Sequence, residues 1–287
     1  MRRLLASALA LAALVVRTLP AFAYCRATTC PDVVACDGQE PTRASCMPLR
    51  WNRSCVGYSV VHSDGKHLTD GAVRNVAWHD FQTWTAGLCD GKRPSVYVRD
   101  MGIAECGHVE YNLNSGNMNA IIVQGRAWPH KKKEHNLALT TLTFDHATGE
   151  IYDADFELNA AQYELSTDSS SAYDLVSVLM HEAGHFFGLG HSEIEAATMS
   201  AEYNPTTLDF RSLSLDDREA ICAVYPPADV STCDPTPRHG FSTKCGGEVA
   251  DSGGCSFRRD GTATHSAWAA MVIVLAGIVV RRRRAAT

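Results

Sequence analysis

An eleven-residue segment in the second half of the chain constrains its structure more than any other feature. The segment His181-Glu182-Ala183-Gly184-His185-Phe186-Phe187-Gly188-Leu189-Gly190-His191 has the pattern H-E-x-x-H-x-x-G-x-x-H. Residues four apart share one face of a helix, so His181 and His185 would direct two imidazoles to one point. Gly188 can adopt a positive φ, which lets the helix end there and returns His191 to the same point. The spacing predicts a helix, a turn and one metal ion bound by three imidazoles.

The same pattern predicts a catalytic metal site. Three protein ligands leave a fourth position open for water, whereas structural zinc sites are closed. A Zn²⁺ ion bound by His181, His185 and His191 would lower the pKa of its water towards about 7. Glu182 would take the proton as general base and pass it to the leaving amine. The alternative is that these are ordinary helical histidines, and the added glycine and third histidine make that alternative weak.

Five strands are expected in the first two thirds of the chain. They are predicted where β-branched and aromatic residues cluster or alternate with polar ones, at 55–62, 95–99, 119–124, 137–144 and 150–158. The last two flank a short turn and would form a hairpin.

Three helices are expected. Apolar residues at three- and four-residue steps predict the first, from Thr69 or Asp70 to Gly87. The helix that carries the histidines is predicted to begin near Ser171, with Asp174 completing a capping box. Ser214 would cap the last helix, which the two prolines at 226–227 would end.

The N-terminus has the features of a secretory signal peptide. Residues 1–23 combine two arginines, an apolar stretch and the small-residue site Ala21-Phe22-Ala23. Export implies an oxidising compartment, so the eleven cysteines are expected to form disulfides. A cysteine-rich arm at 24–45 would precede one domain at 46–227, with a linker at 228–254.

Ten of the cysteines are expected to form five bridges, with Cys255 set apart in a separate signal. Spacing does not determine the pairs, although proximity suggests Cys89 with Cys106 and Cys233 with Cys245. Zinc binding by these cysteines is disfavoured by export and by their irregular spacing.

The charge pattern argues against a nucleic-acid partner. The formal net charge is −6, so the chain has no global basic field. Lys131, Lys132 and Lys133 form a short basic run that could contact an anionic partner or a membrane surface. A solvated loop is the favoured interpretation, because little other basic sequence supports it.

The histidine segment and its flanks resemble the matrixin branch of the metzincin zinc endopeptidases. The similar stretches are 152–156, 174–182, 188–192, 197–199, 215–217 and 224–226, within a resemblance that covers roughly 46–227. The resemblance implies an α/β metzincin fold. This fold is a twisted mixed five-stranded sheet with a capping helix, an active-site helix and a C-terminal helix.

The resemblance also implies how a substrate and the metal would be held. Met199 would form a hydrophobic floor beneath the zinc. An extended peptide would pair with the edge strand at 137–144. Residues 200–203 would form a wall of the pocket for the residue after the cleaved bond.

Two further family features stay open at this point. Cys30-Pro31-Asp32 is similar in part to the segment whose cysteine blocks the zinc in matrixin propeptides, and a disulfide is the favoured alternative. His146, Asp153 and Asp155 could contribute to a structural zinc or calcium site, or could be ordinary solvated hairpin residues.

The C-terminal stretch 255–287 resembles the sorting signals of myxobacteria. A Gly-Cys motif at Cys255 is followed by a polar spacer, an apolar run at 267–280 and four arginines at 281–284. This resemblance implies cleavage by a sorting peptidase near Cys255 and final display at the cell surface or release. Before processing the apolar run would lie in a membrane with the arginines in the cytoplasm. A plain membrane anchor is the alternative.

Together these features predict an exported zinc metalloendopeptidase that hydrolyses extracellular proteins or peptides. A non-catalytic zinc-binding surface or adhesion module is the main alternative, and such a module would not need the base Glu182. A zinc hydrolase with a non-peptide substrate is a second alternative, because a fold does not determine a substrate.

Overall fold

A computed structural model describes most of the chain between residues 23 and 280. The described ranges are 23–36, 41, 43–61, 68–87, 89–168, 173–203, 208–230, 232–247, 270–276 and 279–280. Of the predicted signal peptide at 1–23, residues 1–22 lie outside the described residues, as do the Gly-Cys motif and the arginines at 281–284.

Twelve strands and three α-helices are present in the described ranges. The strands are β1 Cys25–Arg26, β2 Ala35–Cys36, β3 Cys55–Val61, β4 Tyr97–Ala104, β5 Ala120–Val123, β6 Ala138–Asp145, β7 Ile151–Leu158, β8 Leu165–Ser166, β9 Tyr173–Asp174, β10 Glu202–Tyr203, β11 Ala270–Ala276 and β12 Val279–Val280. The helices are α1 Asp70–Thr85, α2 Leu175–Phe186 and α3 Leu215–Val224, and short 3₁₀ turns occur at Asp209–Arg211 and Cys245–Gly247.

The main sheet has the order β11-β6-β7-β5-β3-β4. Strands β4, β3, β5 and β7 run parallel to one another, whereas β6 is antiparallel to both β7 and β11. The predicted mixed five-stranded sheet is therefore confirmed. A sixth strand, β11, is added by the C-terminal segment, for which the sequence pattern predicted a membrane span.

Helices α1 and α2 pack on one face of the sheet, α1 against β3 and β4 and α2 against β6 and β7. Phe81 of α1 lies at the centre of this layer, with its ring 4.9 Å from that of Tyr58 and 4.9 Å from that of Phe186. The Trp84 indole donates a hydrogen bond of 2.8 Å to the carbonyl of Met180. The two helices are thus joined by apolar packing and by a satisfied buried polar group.

The histidine helix begins later than predicted. Asp174 is the N-cap of α2, and its carboxylate accepts hydrogen bonds from the amide and the hydroxyl of Ser177. Arg211 also binds this carboxylate through two nitrogen atoms. The expected capping box that starts at Ser171 is wrong, because Asp174 takes the capping position itself.

The last helix follows the prediction closely. Ser214 and Asp217 form a capping box in which each side chain bonds the backbone of the other residue. Tyr225, just after α3, donates its hydroxyl to the carbonyl of Phe187 and accepts the amide of Trp51. The end of α3 is thereby tied to the end of the histidine helix.

The suggested cysteine pairs are wrong. Cys89 bonds Cys222 and Cys106 bonds Cys245, so the two are not paired with each other; Cys233 bonds Cys55. These bridges close long stretches of chain and become visible only when the sheet and α3 are assembled.

Two shorter bridges staple the N-terminal arm. They join Cys25 to Cys36 and Cys30 to Cys46. Cys30 is therefore a disulfide partner, and the zinc-blocking interpretation of this residue does not hold. The five disulfides found among the described residues fit an exported protein.

Among the described residues no helix combines the length and apolar character needed to cross a membrane.

Candidate metal centre

Three imidazoles converge at the end of α2. His181 and His185 lie one turn apart and are almost completely buried, with their Nε2 atoms 3.1 Å apart. The ring of His191 lies 5.3 Å from that of His181 and 4.9 Å from that of His185. One ligand atom from each of the three residues lies within 4.8 Å of the other two.

Backbone carbonyls orient two of the rings. The Nδ1 atom of His181 lies 2.7 Å from the carbonyl oxygen of Thr198, and that of His185 lies 2.9 Å from the carbonyl oxygen of Leu189. A carbonyl only accepts, so both Nδ1 atoms carry the proton and both Nε2 atoms present lone pairs. Outer-shell carbonyls orient metal-bound histidines in this way.

Two of the imidazoles, those of His181 and His185, are also held neutral. Burial, helped by the neighbouring imidazoles, keeps the pKa of His181 well below 6.5. Burial and His191 lower the pKa of His185 to about 3. Metal binding requires neutral histidine, and two facing lone pairs about 3 Å apart match a tetrahedral ion with Zn–N distances of about 2.0–2.1 Å. The residues present therefore fit a zinc ion.

The turn that carries His191 back depends on Gly188. This residue has a φ of +84°, and its amide donates to the carbonyl of His185 over 2.9 Å. A Cβ atom at this position would lie 2.4 Å from the carbonyl oxygen of Leu49. Both the backbone angle and the close approach of Leu49 therefore require glycine.

We expect Gly188→Ala to lower the free energy of unfolding by at least about 2 kcal/mol, because a left-handed φ and a backbone clash are combined. Denaturant unfolding of the purified protein measures the change. Gly71→Ala is the matched control, since that glycine lies in the first turn of α1 and an added Cβ would meet nothing within 4 Å. A loss of stability in the control as large as in Gly188→Ala would contradict the assigned cause.

The N-terminal arm holds this turn from outside, a contact that the sequence pattern did not predict. The Ala27 amide donates to the carbonyl of Gly188, and the Gly190 amide donates to the carbonyl of Cys25. The disulfide between Cys25 and Cys36 constrains the same part of the arm. Pairing between distant segments has no local sequence signature, so this contact could not be predicted.

Met199 lies against the histidine helix at Gly184. A Cβ atom on Gly184 would lie 2.1 Å from the sulfur of Met199, so the absence of a side chain there admits the methionine. The Asp217 carboxylate accepts the amides of Thr198 and Met199 and anchors this segment to α3. The thioether is thus held against α2 at Gly184, which lies between His181 and His185 in the sequence.

Glu182 is fully buried beside this cluster. Its Oε2 atom accepts a hydrogen bond of 2.5 Å from the hydroxyl of Thr140 in β6. The histidine motif predicted Glu182, but no motif singled out Thr140. Alternation along β6 could only have indicated that Thr140 faces the helices.

Lys133 is a second residue whose position the sequence did not reveal. Lys131 and Lys132 are exposed, as expected for a solvated loop, but Lys133 is half-buried. Burial lowers the pKa of Lys133, while the Glu182 carboxylate acts in the opposite direction. Its ammonium group therefore lies within electrostatic range of the candidate base.

The residues considered for a second metal ion do not come together. Asp153 and Asp155 are buried in β7, whereas His146 is exposed in the hairpin turn. The other His, Cys and carboxylate group among the described residues joins Cys106, His108, Glu110 and Cys245. Its two sulfurs form a disulfide, so it lacks thiolate ligands.

The buried carboxyl pair in β7 predicts a pH effect. Burial and the nearby Asp155 and Glu110 raise the pKa of Asp153 well above its usual value, and burial raises the pKa of Asp155 to about 8. A carboxyl group with a higher pKa in the folded protein binds more protons folded than unfolded. The contribution of this pair to the free energy of unfolding should therefore be largest below about pH 4 and should fall as the pH rises towards 8.

We expect Asp153→Asn to flatten this decline and to raise stability at pH 8 relative to the parent protein. Urea unfolding at pH 5 and pH 8 measures the effect. Asp155→Asn is the contrasting variant, because its carboxylate accepts the amides of Ala120 and Glu110. Loss of one acceptor there should destabilise at both pH values. A decline in Asp153→Asn as steep as in the parent would contradict the prediction.

Comparison with known proteins supplies independent evidence. Residues 50–226 match the sequence profile of the Matrixin family. The human protein named neutrophil collagenase is 32% identical over 211 residues, which cover 70% of this chain and 40% of that protein. Stromelysin-3 of Xenopus laevis is 34% identical over 34% of this chain and 22% of its own length. Metalloendoproteinase 1-MMP of Arabidopsis thaliana is 41% identical over 22% of this chain and 17% of its own length. The matches thus span less than half the length of each relative.

Proposed function

The chain belongs to the matrixin family, and from this premise we propose that it is an exported zinc-dependent endopeptidase that hydrolyses extracellular proteins or peptides. The observation that carries the proposal is a buried carboxylate, Glu182, next to three imidazoles that fit one zinc ion. Family membership implies the dependence on zinc. Cell-surface display remains a proposal that rests on the C-terminal stretch.

The residues have separate tasks in the proposed reaction. A zinc ion bound by His181, His185 and His191 would polarise the scissile carbonyl and make water acidic near neutral pH. Glu182 takes a proton from the attacking water and delivers it to the leaving amine. Thr140 holds the carboxylate of Glu182 by its hydrogen bond, and the carbonyls of Thr198 and Leu189 hold two of the rings.

Strand β6 beside Glu182 suits an extended peptide in the place that β11 takes in the structure. Strand β6 carries Thr140, so a peptide paired with β6 would pass the candidate base. Backbone pairing of this kind uses little sequence information, and side-chain pockets would supply the preference. The alternative of a zinc-binding adhesion module does not account for a buried glutamate held next to the ligands.

Cleavage of casein, gelatin and a broad peptide library by the zinc-loaded protein tests the proposal. We expect internal bonds to be cut, activity to disappear with a chelator, and added zinc to restore it. A protein that binds zinc but cleaves nothing in the library would overturn the proposal.

A further inference from the structure

The C-terminal segment lies along the edge strand beside the candidate active site. In β11, residues Ala270–Ala276 pair antiparallel with β6, with Leu275 opposite Thr140 and Ala276 opposite Leu139. A short step further along the chain, β12 pairs in parallel with β10, with Val279 opposite Glu202. Every residue of β6 is buried, so the chain's own strand covers this edge.

Both partner strands of the C-terminal segment are connected to the metal centre. Thr140 of β6 is bonded to Glu182. Strand β10 follows Thr198, whose carbonyl orients His181, and the hydroxyl of Tyr203 accepts the amide of Asp174 at the start of α2. Strands β11 and β12 therefore both pair with elements that hold the candidate site.

We propose that strands β11 and β12 of the C-terminal segment are internal occupants of the peptide-binding cleft, which keep the full-length chain latent until they are displaced. The inference rests on the proposed function, because latency has meaning only for an enzyme. The occupant is a segment of this chain with defined strand pairing.

The pairing pattern identifies which backbone groups are blocked. The carbonyl of Leu137 accepts the amide of Asn159, so Leu137 directs its backbone groups towards β7. Backbone direction alternates along an antiparallel strand, and Thr140 and Leu142 therefore direct their amides towards β11. These are the groups that an extended substrate would need, so substrate and C-terminal strand exclude each other.

The same register tells which residues of β11 make the ladder. Ile273 lies opposite Leu142 and Leu275 lies opposite Thr140, so these two direct their backbone groups towards β6. Val272 and Val274 direct theirs away from it. Proline lacks the amide donor. Prolines at 273 and 275 therefore break the ladder, whereas prolines at 272 and 274 do not remove a donor from it.

A tethered strand is a strong competitor. A segment linked to its own site acts at an effective concentration of up to about the millimolar range. Cleavage of the chain between the domain and β11 removes this advantage. The processing near Cys255 that the sequence predicts would cut the connection at such a point, and would therefore also activate the enzyme.

The test compares the full-length protein with the double variants Ile273→Pro/Leu275→Pro and Val272→Pro/Val274→Pro. Casein cleavage measures latency. Hydrogen exchange of the Thr140 and Leu142 amides, recorded in a Glu182→Gln background to prevent self-cleavage, measures occupancy without any need for activity. The amides of Leu139 and Thr141 face β7 and serve as internal references.

We expect the first variant to raise casein cleavage and the exchange of Thr140 and Leu142 by about tenfold or more, equivalent to about 1.4 kcal/mol. The second variant should change both by much less. Equal exchange of these amides in the parent and the first variant overturns the inference, as does equal activation by both variants. If exchange rises as expected but no variant cleaves casein, occupancy is supported and the proposed endopeptidase function fails.

Discussion

Replacement of Glu182 by alanine is expected to reduce peptide hydrolysis by about 10²–10⁴-fold, the usual contribution of a positioned general base. The carboxylate is fully buried and receives the hydroxyl of Thr140, so it is held in one orientation beside the metal ligands. Zinc content should not change, because the three imidazoles are untouched. Initial rates on a fluorogenic peptide and metal analysis of the same sample measure the two quantities.

Glu193→Ala is the control for this experiment. Glu193 follows the last metal-binding histidine closely in the chain but is exposed to solvent. We expect it to retain the parent's rate, which separates the loss of the base from a general loss of negative charge. Activity of Glu182→Ala within a few-fold of the parent, at equal zinc content, would contradict the role of Glu182.

Replacement of His185 by alanine is expected to abolish tight zinc binding and the stability linked to it. Ligand binding to the folded state adds about 4 kcal/mol at a free concentration of about 1,000 times Kd, so a protein that loses its site loses this contribution. The three imidazoles present lone pairs at close range, and removal of the middle one leaves an incomplete ligand set. Zinc stoichiometry and the shift in Tm on zinc addition measure both effects.

His108→Ala tests the competing metal group. His108 lies near the sulfurs of Cys106 and Cys245, which form a disulfide, and is exposed. We expect this variant to bind one zinc ion and to show the parent's Tm shift. If His108→Ala lost zinc while His185→Ala retained it, the metal centre would have been assigned to the wrong residues.

Local patterns accounted for most of the secondary structure. The five central strands and α1 lie close to their predicted positions because alternation and helical spacing depend on neighbouring residues only. Strand β4 extends to Ala104, beyond the predicted end at 99, since Gly102 takes a φ of +101° at a register shift against β3. A glycine at such a bulge looks like the end of a strand in the sequence.

Pairings between residues far apart in the chain could not be predicted from local patterns. Cys89 bonds Cys222 rather than the nearer Cys106, because the loop after α1 and helix α3 come together only in the folded protein. The same holds for the backbone hydrogen bonds of Ala27 and Cys25 with the turn at Gly188. It also holds for the hydrogen bond from Thr140 to Glu182. Each joins segments that are far apart in the chain, and no local pattern encodes such a contact.

The sequence by itself determined the three imidazoles, the adjacent base and the glycine turn, because a single helix and its end set all of their spacings. Only the tertiary structure decided what surrounds them: the carbonyls that orient the rings, the hydroxyl that holds the base and the strand that covers the neighbouring edge. An apolar run such as 267–280 satisfies its backbone hydrogen bonds in a helix or beside another strand, and its hydropathy does not distinguish the two. The open edge of β6 supplies the partner for β11, and that edge exists only once the sheet has formed.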